Sequence, residues 1–307
     1  MRPELRGLHA EEVNGIEKRF GDFILVNTNF SNVNWAPERA ARSKPAEPPR
    51  DRSGAAAVGR FEAFRRHRRE ILGHFVKMVP DLASRFRGHT IVIRPHPAED
   101  TGIWKKVARE RDNIVVHREG PIVPWILACA ALIHNGCTTA VEVALMDRCP
   151  IAYRPVTKTG LEAVLSNDIS HGAGSLAELG DMVRTGMAGN LALDDGQENL
   201  LDHYVSSRRG PLASERILAL YDDVARSASA SGGGARLGAM ARAMARHAYK
   251  AIRTNHQTDR YLPTVFPDTG VDFVEKRCAE MASCLRLPLE NVRVRSVGPN
   301  IFAMSVG

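Results

Sequence analysis

The sequence contains no glycine-rich phosphate loop closing in Lys-Ser or Lys-Thr, no GxGxxG opening a helix and no GxSxG turn. Nucleoside triphosphate hydrolysis, dinucleotide-dependent hydride transfer and serine hydrolysis are set aside on that ground. Histidines, cysteines and carboxylates never recur at metal-ligand spacing, so no metal and no cofactor is expected. The five cysteines, at positions 129, 137, 149, 278 and 284, are odd in number and form no close pair. That excludes a zinc ribbon or a redox dithiol and fits a reduced, cytoplasmic setting. Aromatic residues make up only 6% of the chain. The cluster Arg65, Arg66, Arg68 and Arg69 therefore lacks the interleaved stacking rings of a nucleic-acid surface, and no specific nucleic-acid partner is expected. No apolar run approaches the roughly 20 residues of a membrane span, and residues 1–20 are too charged for a signal peptide. Membrane contact would be peripheral at most, on the inner face.

What remains is a globular composition. The 307 residues are 44% hydrophobic, enough for one full core and a small second one. Lysine and arginine number 42 against 35 acidic residues, a balance that favours anionic partners or serves solubility alone.

Along the chain, a charged helical segment precedes a first strand at 23–27. Residues 36–59 are rich in Pro, Ala and Arg without a period and read as a mobile loop, either a lid or a plain insertion. From 60 onward helices and strands alternate: a helix at 60–78, a strand at 90–94, a helix at 101–109, a strand at 113–117 and a helix at 122–129. A strand at 131–134, a helix at 138–147 and a strand at 150–154 follow. That rhythm predicts an α/β fold, a Rossmann-like parallel sheet flanked by helices. Beyond 155 only helices are expected, near 175–187, 197–205 and 211–226. The run SASASGGG at 227–234 reads as a linker, so the organisation is a sheet domain over 1–226 and a helical extension over 235–307. Within that extension a basic helix is expected at 235–253 and another near 270–285. The segment 291–295 alternates like an edge strand.

Three strand ends carry polar, turn-forming residues. In Ile91-Val-Ile-Arg94-Pro95-His96-Pro97, Arg94 and His96 leave the carboxyl end of a buried strand, where both can donate to an anionic oxygen; the same residues could form a merely stiff turn. In Leu132-Ile-His134-Asn135-Gly136-Cys137-Thr138-Thr139-Ala140-Val141-Glu142, a strand enters a helix through a glycine turn. Gly136 allows close backbone approach, while Thr138 and Thr139 present hydroxyls beside backbone N–H groups, and Glu142 can accept from ribose hydroxyls. Read conservatively, the threonines cap the helix and Glu142 complements its dipole. The segment 27–32 (Asn27-Thr-Asn29-Phe-Ser-Asn) can bond sugar or phosphate oxygens or simply turn the chain. His117, closing the third strand, faces the same edge and can contact a base or ribose.

These residues resemble the surface-carbohydrate-biosynthesis glycosyltransferases of bacteria, relatives of the capsule Kdo-transferases, through VNTNFSNVN (26–34), IVIRPHP (91–97), HREGPIVPW (117–125) and HNGCTTAVEVALMDRCPIAYRP (134–155). The resemblance covers the core of 20–155. It implies the donor-binding, carboxyl-terminal half of a GT-B fold, with a nucleotide-sugar donor, a CMP-sugar in the nearest relatives, and a glycan or glycolipid acceptor. Carried over residue by residue, it gives His96 the catalytic contact to the leaving phosphate. It gives Thr138 and Thr139 the donor phosphate as well and Glu142 the ribose, while the strand ends themselves add Arg94 and Gly136 at the donor phosphate, His117 and Asn135 at the ribose and base, and Asn27 and Asn29 at the sugar. Met1 falls only some twenty residues before the first strand, too few for the amino-terminal acceptor domain of that family, so the chain is expected to be a fragment, to have a misassigned start, or to be half of a split enzyme whose acceptor domain comes from another chain. CDP-glycerol transfer, UDP-sugar 2-epimerisation and a non-catalytic half of a split enzyme are the alternatives.

Overall fold

The computed structural model describes residues 3–35, 55–206, 208–228, 242, 245, 269–287, 292–298 and 301–306. Two units divide it, Met1–Val205 and Ser206–Gly307.

The first unit is built on six parallel strands: β1 (Phe23–Thr28), β2 (Thr90–Pro95), β3 (Ile114–Val116), β4 (Ala131–His134), β5 (Pro150–Tyr153) and β6 (His171–Ala173). Their spatial order is β3-β2-β1-β4-β5-β6, every neighbouring pair parallel. This is the doubly wound order of dinucleotide folds, in which the chain reverses direction across the sheet between β1 and β4.

Side-chain alternation sends each strand's residues to two separate cores. Ile24, Val26, Ile91, Ile93, Ala131 and Ile133 pack under α2 (Ala55–Arg85), α3 (Gly102–Ala108) and α7 (Leu176–Met187), through Phe75, Met78, Leu82, Trp104, Leu179 and Val183. Phe23, Leu25, Val92 and Leu132 pack on the other face, against Ile16 and Phe20 of α1 (Ala10–Phe20), Trp125 and Ile126 of α4 (Val123–Ala128) and Val143 of α5 (Thr139–Ala144). Because both faces are covered, the strands read as continuous apolar runs rather than alternating ones.

The sheet extends one strand past its expected end. After β5 the chain forms the short helix α6 (Val164–Asp168) and then β6, whose His-Gly-Ala sequence is too short and too small to show a period. Helices α7, α8 (Asp195–Tyr204) and α9 (Ala213–Ala228) lie where the sequence places them. A capping box between Asp194 and Gln197 fixes the start of α8. Residues 55–59, read as loop, form the first turn and a half of α2.

In the second unit, α10 (Val271–Leu285) precedes an antiparallel hairpin of β7 (Val292–Gly298) and β8 (Ile301–Val306). The extension is thus not wholly helical. The turn signal Gly298-Pro299-Asn300 marks the hairpin in the sequence, but β8 carries too little alternation to be read alone. Residues 36–54, most of the expected 227–234 linker and, apart from Arg242 and Ala245, the expected 235–253 helix lie outside the described residues. Among the described residues no helix is long and apolar enough to cross a membrane.

Phe75 is fully buried between Phe30 and Tyr153, with ring centroids 5.4 and 5.5 Å away. Phe75→Ala should cost about 3–5 kcal/mol in denaturant unfolding, the usual cost of removing a large core ring.

Candidate functional site

The carboxyl ends of β1, β2 and β4 meet at the point where strand order reverses, and buried polar side chains tie their loops together. Glu99, three residues beyond His96, is fully buried. Its Oε1 accepts from Thr28 Oγ1 at 2.9 Å, Phe30 N at 2.8 Å and His96 N at 3.2 Å. Its Oε2 accepts from Trp104 Nε1 at 3.2 Å and Asn34 Nδ2 at 3.5 Å. The carboxylate therefore welds the loop after β1 to the loop after β2.

On the other side of β1 the links run to β4. Asn27 Nδ2 donates to Thr139 Oγ1 at 3.0 Å and to Cys137 Sγ at 3.1 Å, and Asn135 Oδ1 accepts from Asn29 N at 3.0 Å. Arg68 reaches in from α2, lies over the Phe30 ring at 5.0 Å and donates to the carbonyls of Asn135, at 2.9 Å, and Asn29. Burial lowers the pKa of this guanidinium.

His134 sits fully buried behind the glycine turn. Its Nδ1 accepts from Gly136 N at 3.0 Å, which places the ring proton on Nε2, 2.9 Å from Ser170 Oγ; that hydroxyl donates in turn to Ser166 O at 2.6 Å. Gly136 has φ +79°, and a Cβ there would lie 3.3 Å from Asn167 Oδ1, so both its conformation and its surroundings require glycine.

Each residue expected at the site can now be placed. His96 is exposed at the tip of its loop, with Nδ1 accepting from Ala98 N at 3.1 Å, so the neutral ring carries its proton on Nε2. Thr138 is exposed at the start of α5 and makes no side-chain capping bond, while Thr139 holds Asn27. The amides of Cys137, Thr138 and Thr139 have no hydrogen-bond partner among the described residues, whereas those of Ala140 and Val141 bond to Cys137 O and Thr138 O. Glu142 is half-buried without a partner among the described residues, and desolvation raises its pKa.

Arg94 faces inward. It is 7% exposed, its Nη1 and Nη2 donate at 2.8 Å to the carbonyls of Glu119 and Gly120, and it lies over the Trp125 ring at 4.8 Å. Burial lowers its pKa to about 10. It holds the loop after β3. Asn27 also faces inward and braces the β4 turn, while the half-buried Asn29 accepts through Oδ1 from Ser31 Oγ at 3.1 Å. His117 stacks on Trp125 with centroids 4.6 Å apart and packs edge-on to Phe20; burial, then the nearby Arg94, lowers its pKa. The arginine cluster does not form one surface: Arg68 is buried and Arg65 lies over Trp35.

Glu99, His134, His67 and Arg68 are the polar residues the sequence reading overlooked. His67 and Arg68 continue toward the amino terminus the apolar stripe of Ile71, Phe75, Met78 and Leu82, four and three residues before Ile71. A polar residue on an apolar stripe was the available signal. Among the described residues no cluster of His, Cys, Asp or Glu suits a metal ion.

No family model matches the chain, and no curated protein matches it. Among solved structures, one described as "Crystal Structure of TarM" aligns with a TM-score of 0.36 at 8% identity, over 66% of this chain and 34% of that one. The chain thus spans about a third of that structure, and a likeness at this level carries no functional argument.

Two outcomes are expected from the buried network. Glu99→Gln points amide hydrogens at existing donors and should cost on the order of 3 kcal/mol by chemical denaturation. Burial lowers the His134 pKa to about 3, against an ordinary value of 6.5. The unfolded chain therefore binds the proton more readily. The stability due to neutral His134 is complete above about pH 6.5 and is lost as pH falls toward 3. Unfolding free energy measured from pH 7 to pH 4 should fall less steeply in His134→Gln than in the wild type.

Proposed function

We propose that the crevice at the carboxyl ends of β1, β2 and β4 binds an activated nucleotide-sugar, a CMP-sugar by preference, as the donor half of a glycosyltransferase of surface polysaccharide synthesis. The observation that carries this reading is the contrast within the crevice. Most polar groups there are engaged in holding the loops, while three consecutive amides, the Thr138 hydroxyl and the Glu142 carboxylate are not. Ligands of doubly wound sheets lie at this position.

In this reading the Cys137–Thr139 amides and Thr138 Oγ1 donate to the donor's phosphate, and His96 Nε2–H donates from the opposite loop. As the glycosidic bond breaks, negative charge grows on the leaving phosphate, and donors already fixed by the Glu99 and Asn27 bonds stabilise it without reorganising. Glu142 accepts from the ribose hydroxyls. Its raised pKa marks a carboxylate that lacks compensation in the unliganded protein and gains it from two hydroxyl donors. The acceptor, a glycan or glycolipid, and the base that deprotonates it come with a second, acceptor-binding domain. We place this assembly in the cytoplasm, against the inner face of the membrane.

Calorimetric titration of CMP, CDP, UMP and UDP tests the reading. Cytidine-selective binding, weakened about tenfold by Thr138→Ala, His96→Ala and Glu142→Gln, is the expected result. Uridine selectivity would replace the donor with a UDP-sugar, and absence of binding by the folded chain would overturn donor binding altogether.

A further inference from the structure

Beside the crevice, on the α2 face of the sheet, lies a second polar feature that donor phosphate binding does not use. A cavity of about 20 Å³ is enclosed by α2, the ends of β4 and β5 and the loop entering α6, with His67, Arg68, Asn135, Arg154, Glu162 and Asn167 in its wall. That volume admits about one water-sized group. His67, Asn135 and Asn167 are 0, 6 and 7% exposed, yet His67 Nδ1 and Nε2, Arg68 Nε, Asn135 Nδ2 and Asn167 Oδ1 all lack hydrogen-bond partners among the described residues. Buried polar atoms left unsatisfied are destabilising, so a complementary group is called for.

The chemistry of that group can be read from orientations that other bonds fix. Asn135 Oδ1 accepts from Asn29 N, so its NH₂ faces the cavity as a donor. Asn167 Nδ2 donates to Glu162 Oε2 at 3.2 Å, so its Oδ1 faces the cavity as an acceptor. Glu162 itself is engaged by Arg154, at 3.0 and 2.7 Å, and by Lys158 N at 2.6 Å, and contributes no further demand. Burial outweighs the pull of Glu162, 3.8 Å away, and lowers the His67 pKa, leaving a ring with one N–H and one lone pair. A phosphate or carboxylate oxygen only accepts, and an ammonium only donates. A hydroxyl does both, and it fits the space.

We propose that this cavity is a sugar-hydroxyl subsite. One hydroxyl of the donor's sugar accepts from Asn135 Nδ2 and donates to Asn167 Oδ1, and His67 bonds that hydroxyl or its neighbour. The proposal rests on the donor-binding reading and adds to it the residues that recognise the sugar. Asn135 belongs to both loops of the argument, since its carbonyl holds Arg68 and its amide faces the cavity.

The competing occupant is a resident water, which offers the same hydroxyl chemistry, and the test separates the two. Calorimetry compares each bare nucleotide with its sugar-bearing form: CMP with CMP-N-acetylneuraminate, and UDP with UDP-glucose and UDP-N-acetylglucosamine. It is run on the wild type and on His67→Phe. The wild type should bind at least one sugar-bearing form about three- to tenfold more tightly than its bare nucleotide. His67→Phe should abolish that difference while leaving the bare nucleotide unaffected. Because Phe removes two unsatisfied ring nitrogens from the interior, the variant should also melt at a higher temperature, a gain that a purely structural histidine would not couple to lost sugar affinity. Equal affinity of the wild type for bare and sugar-bearing nucleotides overturns the subsite and leaves donor-nucleotide binding intact. An advantage that survives His67→Phe removes His67 and assigns the cavity to water. No binding of any nucleotide overturns both readings. The wild-type comparison stands even if the variant fails to fold.

Discussion

The architecture of the crevice depends on one buried carboxylate. Glu99 gathers five donors from the loop after β1, the loop after β2 and α3, and so converts two surface turns into one rigid piece. A carboxylate taken out of water is tolerable only when its lone pairs are filled, and here two main-chain amides and three side chains fill them. The dependence is mutual: without Glu99 the amide of Phe30 loses its acceptor and that of His96 keeps only Thr28 O, and without those loops Glu99 is an uncompensated charge.

The same device recurs around the crevice with the sign reversed. Arg68 and Arg94 are buried guanidiniums whose partners are carbonyl oxygens rather than carboxylates, and each lies over an aromatic ring. Arg68 draws α2 onto the β1 and β4 loops; Arg94 draws the loop after β3 onto the sheet. A cation in such a place shapes backbone, and that is why arginine at a strand end does not by itself signal phosphate recognition.

Much of the fold was legible because two-sided burial writes itself into the strands as short apolar runs: Phe23–Asn27, Thr90–Arg94 and Ala131–His134 stood out on that ground, with polar turns after each. β6 and β8 were not legible, the one for want of length and the other for want of alternation. At the site, the glycine turn at Gly136 and the exposure of His96 and Thr138 agree with their sequence contexts. The inward turn of Arg94 and Asn27 could not have been read, because type and position are the same for a side chain that holds a loop and one that awaits a ligand. Only the partner atoms tell them apart. Glu99 was hidden for the opposite reason: one acidic residue in a proline-rich turn looks solvent-facing until the donors around it are seen.

The grouping of Trp125 with His117, Arg94 and Phe20 has an optical side. An indole stacked on an imidazole emits differently when that ring is neutral and when it is charged, and His117, its pKa lowered by burial and by Arg94, is neutral at physiological pH. Trp104, by contrast, is fixed in the interior by its bond to Glu99. Of the chain's three tryptophans, two thus have separate duties, Trp104 recording the integrity of the Glu99 junction and Trp125 the seating of the loop after β3, and no external label is needed to watch either.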